Sequence, residues 1–584
     1  MLAPIDSFAA DHWVESDDDI RDLIDEAIVQ PGDTVIWRNG EYEGMGINLN
    51  FMGTEEGRIT LRAETPGRVI LKGESFVKFG GDYLTVDGLI FYNGDKYLRD
   101  VSSAAVQFRA SNGNRHAHFC RLTNSAVIDY NSWEQDVDDD DDDGDREEFI
   151  YASSKWVQIY GTNNRVDHCH FSKKLVRGAL IITELVPQDG EDGTPYESYN
   201  HRIDHNFFGP NPVGWASNEF ETVRLGTSDY SNYNGNIVVE NNHFYHCDGE
   251  IEVISNKSSY NTIRNNILVG CKGSIVSRHG DFANLDGNII LGQGRTDTGG
   301  IRINGEGHIL TNNYVADTRG SGLRGALVLR AAGSVDSDDT NGGYEEVRNA
   351  FIAHNTFINN QQSWNLGELG GKDNNLPARD SRLANNLVVG NTRPLVTWGR
   401  APEELIYENN IFWGTEVGLE DDGIFNVDPE LVERTDRLFT PGPEGPAIDG
   451  GIAIESVGLD MDGQSRSAET PEIGADESLE AGALLAPLSP ISVGPNWSPQ
   501  GFPVASAGIR LSGSSEVALQ IPEPGRFGYG FYNVEISKDL SSWTSALPNA
   551  VDVRDGDNLS ETELDYDREA GDFWRVIFKS VSEE

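Results

Sequence analysis

The chain is short of positive charge. Lysine and arginine together number 45 against 95 aspartates and glutamates, a net charge of −50. A surface this acidic disfavours nucleic acid and anionic membranes as partners, since both carry the same sign. No run of 18 apolar residues is present, so no membrane-spanning helix is expected. The opening MLAPIDSFAADHW has neither the basic start nor the apolar core of a signal peptide, which leaves a mature or a cytosolic chain. Cysteine is scarce as well. The four cysteines do not make a disulfide framework, and Cys247 and Cys271, each five residues after a recurring asparagine, read as small apolar groups stacked on consecutive turns.

What the sequence has instead is a repeat. The pattern "branched residue, polar, polar, Asn, apolar, apolar" returns as IDHNFF, VENNHF, IRNNIL, LDGNII, LTNNYV, IAHNTF, LANNLV and YENNIF. Its asparagines are Asn206, Asn242, Asn266, Asn288, Asn313, Asn355, Asn386 and Asn410, separated by 36, 24, 22, 25, 42, 31 and 24 residues. A period of 22 to 25 with longer excursions describes coils of constant cross-section carrying variable loops. The elements are short, β-branched and alternating, so the coils are strands and turns. Asparagine tolerates a left-handed turn, and stacked copies can bond one another. The fold class expected is all-β, a right-handed parallel β-helix. A β-sandwich would repeat every 8 to 12 residues and would not keep this period.

Around the repeat the chain divides as follows. Residues 1–477 form the β-helix, with a short amphipathic helix at about 17–29 (DDDIRDLIDEAIV) covering its open first coil. An irregular tail at about 415–477 is expected to fold back over the last coil. The acidic run at 136–148, DVDDDDDDGDREE, lacks EF-hand spacing and reads as a solvated loop. Residues 478–498 have linker composition, and 499–584 alternate as the antiparallel strands of a small β-rich accessory module.

Polar chemistry concentrates between Gly249 and Arg302. Glu250 and Glu252 stand two apart, Asn256-Lys257 follows, and Arg278-His279 begins 21 residues after the lysine. That interval is close to the coil period, which places Lys257 and Arg278 on neighbouring turns. Together with NGEYEG, ITLRAETPGRVILKGES, DYLTVDGLIFYNG, WVQIYGTNNRVDHCHF, NEFETVRLGTS and GGIRI, this stretch resembles polysaccharide lyase family 6, the alginate lyases and the dermatan-cleaving chondroitinase B. The likeness runs over roughly residues 30 to 477. It implies a calcium-dependent β-elimination on a 1,4-linked uronic-acid polymer. By motif it makes Lys257 the base, Arg278 the acid and Asn218, Glu250 and Glu252 the calcium ligands. Arg224, His279, Arg302 and Tyr344 match substrate-contacting positions.

The residues themselves are consistent with those roles. Glu250 and Glu252, at i and i+2 of a strand, project to one face. Two carboxylates there repel unless a cation lies between them, and hard oxygen donors suit calcium better than zinc. A base must be neutral when it acts, and crowding of Lys257 by calcium and by Arg278 favours the neutral form. Arg302, 24 residues after Arg278, is expected to continue the same row and hold the next sugar carboxylate. On a regular strand His279 would alternate to the other side and could be a core or turn histidine. Tyr344 lies within the longest excursion, the 42 residues between Asn313 and Asn355, which leaves its place open.

The expected substrate is therefore an anionic polysaccharide, alginate first, with dermatan or chondroitin on the same scaffold as the alternative. A polymer of that size implies a secreted or periplasmic enzyme. A pectinase-like hydrolase would use Glu250 and Glu252 as an acid–base pair around water and leave Lys257 and Arg278 idle. A non-catalytic glycan-binding solenoid would need neither.

Overall fold

The computed structural model describes residues 9–477, apart from 95–101, 114, 136–148, 152–153, 189–192, 215–217, 334–343, 371–373 and 435–437, together with 493–494 and strands between 508 and 581. The acidic run at 136–148 and most of the 478–498 segment thus lie outside the described residues.

Three long parallel sheets, of 14, 12 and 14 strands, wrap one continuous core. Each complete coil gives one strand to each sheet, and successive coils pair in register, for example Val239↔Ile263, Ile263↔Leu285 and Leu285↔Leu310. All four of these side chains are buried. Strands of three residues suffice because each is hydrogen-bonded on both sides and presents its middle side chain inward. This is the expected parallel β-helix.

The asparagine repeat holds it at one corner. Asn242 Nδ2 donates to Asn266 Oδ1 (3.0 Å), Asn266 to Asn288 (3.0 Å) and Asn288 to Asn313 (2.9 Å), and the chain of amides runs from Asn206 to Asn410. The ladder asparagine is buried on every coil. The left-handed conformation belongs to the residue before it, as at Asn241 (φ 55°), Asn265 (φ 53°) and Asn312 (φ 58°). The paired asparagines thus divide the work: the first turns the chain and the second ties the coils together. Cys247 and Cys271 are free, buried and stacked on adjacent coils, the Cys247 N–H lying 3.3 Å from Cys271 Sγ.

The cap helix spans Asp17–Asp25 and buries Ile20 against the first coils. Ser16 caps it reciprocally with Asp19. It ends before 29 because Ala27 turns left-handed (φ 51°). Among the described residues no helix is long and apolar enough to cross a membrane.

The tail does more than close the last coil. It runs back along the outside of one 14-stranded sheet, where Leu438, Met461 and Ala475 pack on Ile267, Ile289, Tyr314 and Ile358. Further back still, the Gly494 N–H donates to the His168 carbonyl at 2.6 Å. Arg434 fastens this strap through Asp462 (2.7 Å) and Asp476 (2.9 Å). The reason is apolar area: isoleucines on that sheet face outward and need a cover. Strands between 508 and 581 pair antiparallel.

Candidate active site

The 12-stranded sheet carries the candidate residues on its outer face. Its strands Val223–Leu225, Glu252–Lys257, Ser274–His279, Ile301–Ile303 and Leu327–Arg330 lie side by side. The inward row is Val223, Ile254, Ile275, Ile301 and Leu327. Outward, Arg224 pairs with Ser255, Ser255 with Val276 and Val276 with Arg302. Arg302 therefore does not continue the row of Arg278, as its spacing in sequence suggested; it stands opposite a residue two positions earlier, because the intervening turns differ in length.

Two register shifts frame the lysine strand, one between Glu252 and Ile254, the other between Asn256 and Lys257. At the second, Arg278 is the extra residue and His279 comes opposite Lys257. The strand is not regular here, so His279 does not swing to the far side. Its ring stacks on Tyr344 at 5.7 Å and 19°. Bulges that re-aim side chains in this way are characteristic of functional sites.

Lys257 is buried, and its Nζ lies 3.1 Å from Glu221 Oε1, with Arg224 Nη1 3.6 Å from the same oxygen. Glu221 was not among the residues anticipated. A signal for it exists: ETVRLG and EVISNK align, and Glu221 precedes Val223 by two as Glu252 precedes its in-register partner Ile254. The 31-residue interval hid it. Oxygen atoms of Glu221, Glu250 and Glu252 lie within 4.8 Å of one another, all three residues buried. Asn218 is exposed in the loop three residues before Glu221.

The electrostatics of this triad are uneven. Glu252 is held down at about 2: burial opposes its charge, but Arg302, Arg278 and Lys257 outweigh that cost. Arg302 is itself buried with its guanidinium on Glu252, beneath the site and not at its surface. Arg278, a quarter exposed, stands 3.7 Å from Glu252. Glu250 is pushed up to about 9 by burial and by the charges of Glu221 and Glu252. Glu221 Oε2 and Glu250 Oε1 are buried without a hydrogen-bond partner. Three crowded carboxylates with two orphaned oxygens are what a hard cation satisfies, and an all-oxygen donor set fits calcium. The triad could hold a metal ion.

Above this floor lies Tyr344. Its ring centre is 5.8 Å from Arg278 Cζ and 3.3 Å from Arg330 Cζ. Burial raises its phenol, but the two guanidiniums more than offset that, leaving it below its usual range. Arg330, at the end of its strand in LVLR, is a second residue that sequence spacing did not single out.

Comparisons with known proteins bear on the family and the fold. A family model described as chondroitinase B matches residues 14–410. Among solved structures the chain is similar to the PL6 family alginate lyase AlyGC, at 26% identity and TM-score 0.65, over 82% of this chain and 59% of that one. It thus spans about three-fifths of AlyGC's length. It is also similar to a mannuronic acid specific family 6 lyase from human gut microbiota, at 28% identity and TM-score 0.60, over 72% of this chain and 91% of that one. A family 6 lyase from Pseudopedobacter saltans, at 21% identity and TM-score 0.58 over 83% of this chain and 99% of that one, shares the fold. No curated protein matches.

Proposed function

The chain belongs to polysaccharide lyase family 6, the chondroitinase B family, and on that premise we propose that it cleaves alginate by calcium-dependent β-elimination. The observation that carries this is Lys257, buried on the outer face of a β-helix between a carboxylate triad and Arg278, with Tyr344 above. A hydrolase would have no use for a buried lysine at the centre of its site.

In this reading Lys257 Nζ takes the C5 proton of a uronate. The C5 electron pair forms the C4–C5 double bond, and the C4–O4 bond breaks toward the leaving sugar. Glu221, Glu250 and Glu252, with Asn218, would hold calcium, which supplies positive charge to the uronate carboxylate and lowers the cost of the carbanion. Glu221 orients Lys257 through the 3.1 Å contact. Arg278 serves the leaving O4. Its charge is pinned: burial works against it, but Glu252, Tyr344 and other nearby acidic groups raise its pKa above the ordinary arginine value. It therefore donates hydrogen bonds to the departing oxygen and stabilises its charge without losing its own proton. The Tyr344 phenol, made more acidic by Arg278 and Arg330, is the group able to deliver a proton to O4. His279 stacks on Tyr344 and fixes its plane. Arg224 is the remaining cation for a neighbouring carboxylate, while Arg330, buried against the Tyr344 ring, acts through that phenol and Arg302 acts from below by holding Glu252 ionised.

Alginate is favoured over dermatan because relatives at 26% and 28% identity are an alginate lyase and a mannuronic acid specific lyase. A polymer substrate also supports the secreted or periplasmic location. The test is ultraviolet absorbance over time with polymannuronate, polyguluronate and dermatan sulfate, each with calcium and with chelator. Elimination makes a double bond conjugated to the carboxylate, whereas hydrolysis makes none. A rise on an alginate block that chelator abolishes is the expected result. A rise on dermatan sulfate alone moves the substrate, and a flat trace on all three from folded protein overturns the lyase assignment.

A further inference from the structure

A second site lies one corner away from the lysine. Where each coil leaves the 12-stranded sheet, the residue two before the Arg165, Arg202, Val238 and Thr262 register row turns left-handed. The column reads Tyr83 (φ 54°), Phe119 (φ 56°), Asn163 (φ 56°), Asn200 (φ 53°), Asn236 (φ 47°), Tyr260 (φ 62°) and Phe282 (φ 55°). Asparagine takes this conformation readily, but bulky aromatic side chains rarely do. Tyr260 and Phe282 nevertheless stand there, 51% and 43% exposed and stacked at 5.0 Å and 18°. Solvent-exposed rings on a strained backbone call for a ligand.

Phe282 covers Tyr260 from the following coil. On the preceding coils Tyr260 borders an open cleft of about 500 Å³, lined also by Thr162, Tyr196, Asn200, Asn234 and Asn236. The amides at its floor are aligned, with Asn236 Nδ2 and Ser198 Oγ both donating to Asn200 Oδ1 (2.6 and 2.7 Å). Among the described residues this leaves the Asn200 NH2 and the Asn236 carbonyl oxygen free to bond a ligand. A ring face beside paired donors and acceptors is complementary to a pyranose, which has an apolar C–H face and a rim of hydroxyls.

We propose that this cleft is a secondary binding site for the uronic-acid polymer, a sugar ring lying on Tyr260 while its hydroxyls bond Asn200 and Asn236. Tyr260 is three residues after Lys257, so this cleft lies at the turn that follows the catalytic strand. Among the described residues its only lining charge is the exposed Glu197, so it grips the ring and leaves the sugar carboxylate turned to solvent. It holds a stretch of polymer beside the cleaving site and raises the local concentration of substrate. That the glycan is a uronate rests on the lyase reading.

Affinity electrophoresis in gels containing polymannuronate or polyguluronate tests it, run with chelator so that binding is read without turnover. Tyr260→Asn installs the residue that the neighbouring coils already use at this backbone position, and Asn200→Ala probes the floor from another coil. Each is expected to weaken retention about fivefold, the loss of one aromatic or paired-amide contact, with cooperative unfolding retained, although Asn200→Ala, at φ 53°, should unfold at a lower temperature. Phe119→Asn, in the same column outside the cleft, should leave retention as in the parent. Equal retention of the parent, Tyr260→Asn and Asn200→Ala overturns the site. The two assignments fail differently: polymer binding that Tyr260→Asn weakens, without any absorbance rise, keeps the cleft and sinks the lyase, and an absorbance rise with the same KM in both proteins does the reverse.

Discussion

At the residue scale the decisive feature is that Lys257 shares its carboxylate: Glu221 Oε1 lies 3.1 Å from Lys257 Nζ and 3.6 Å from Arg224 Nη1. Lys257→Ala removes the proposed base, and kcat should fall by about 10²–10⁴-fold while polymer retention survives; a variant that keeps full activity would remove Lys257 from the mechanism. Glu250 makes a second, independent prediction. Its folded pKa of about 9 stands above the ordinary 4.5, so between those values the cation-free native state holds a proton that the unfolded chain has released. Stability of chelated protein must then fall as pH rises through that window, by up to about 1.4 kcal/mol per pH unit. In the proposed site calcium would replace the proton, so the gain in melting temperature on adding it should grow from pH 5 to pH 8. Thermal scans with calcium and with chelator check this. A calcium shift independent of pH would mean the ion binds elsewhere.

At the scale of the element, what could be read in advance was whatever repeats. The asparagine period is legible because each ladder residue does the same job on its coil, and so the fold and the neighbouring turns of Lys257 and Arg278 follow from spacing, while the cap helix follows from its own apolar face. Bulges and loop excursions are not periodic. The side of His279 depends on a register shift, the row of Arg302 on unequal turn lengths, and Glu221 was masked by a 31-residue interval, none of which follows the period. The return path of the strap was hidden for another reason: it is set by apolar area on an outer sheet face, which becomes visible only once the coils are stacked. The ladder itself is testable. Asn266 Oδ1 accepts from both the backbone and the side chain of Asn242, and its Nδ2 reaches the Val239 carbonyl and Asn288. Asn266→Ala orphans several buried groups at once and should cost about 3 kcal/mol, seen as a lower urea midpoint at unchanged slope. A loss below about 0.5 kcal/mol would mean that water replaces the amide at no cost.

For the whole molecule the problem is sign. On the proposed reading a protein of net charge −50 captures a polyanion, and at low ionic strength its field opposes every approach. The compensating cations are local: Arg224 and Arg278 border a single face, and a cation in the triad would add to them. Salt screens the two contributions unequally. Repulsion from the rest of the surface acts over tens of ångströms and collapses as the Debye length drops from about 30 Å at 0.01 M toward 3–8 Å between 1 M and 0.15 M. The ion pairs that hold the site are buried contacts of 3 to 4 Å and are screened far less. Raising salt should thus lower KM for polymer before it weakens anything in the site, giving an activity that is level or rising from 0.01 M to about 0.5 M NaCl. The gain should be larger for long polymer than for short oligosaccharide, because a longer polyanion meets more of the repulsive surface. Initial rates on polymer and on a short oligomer across that series decide it. A steep monotonic loss with salt would mean that attraction by the local cations, not repulsion by the surface, governs substrate capture.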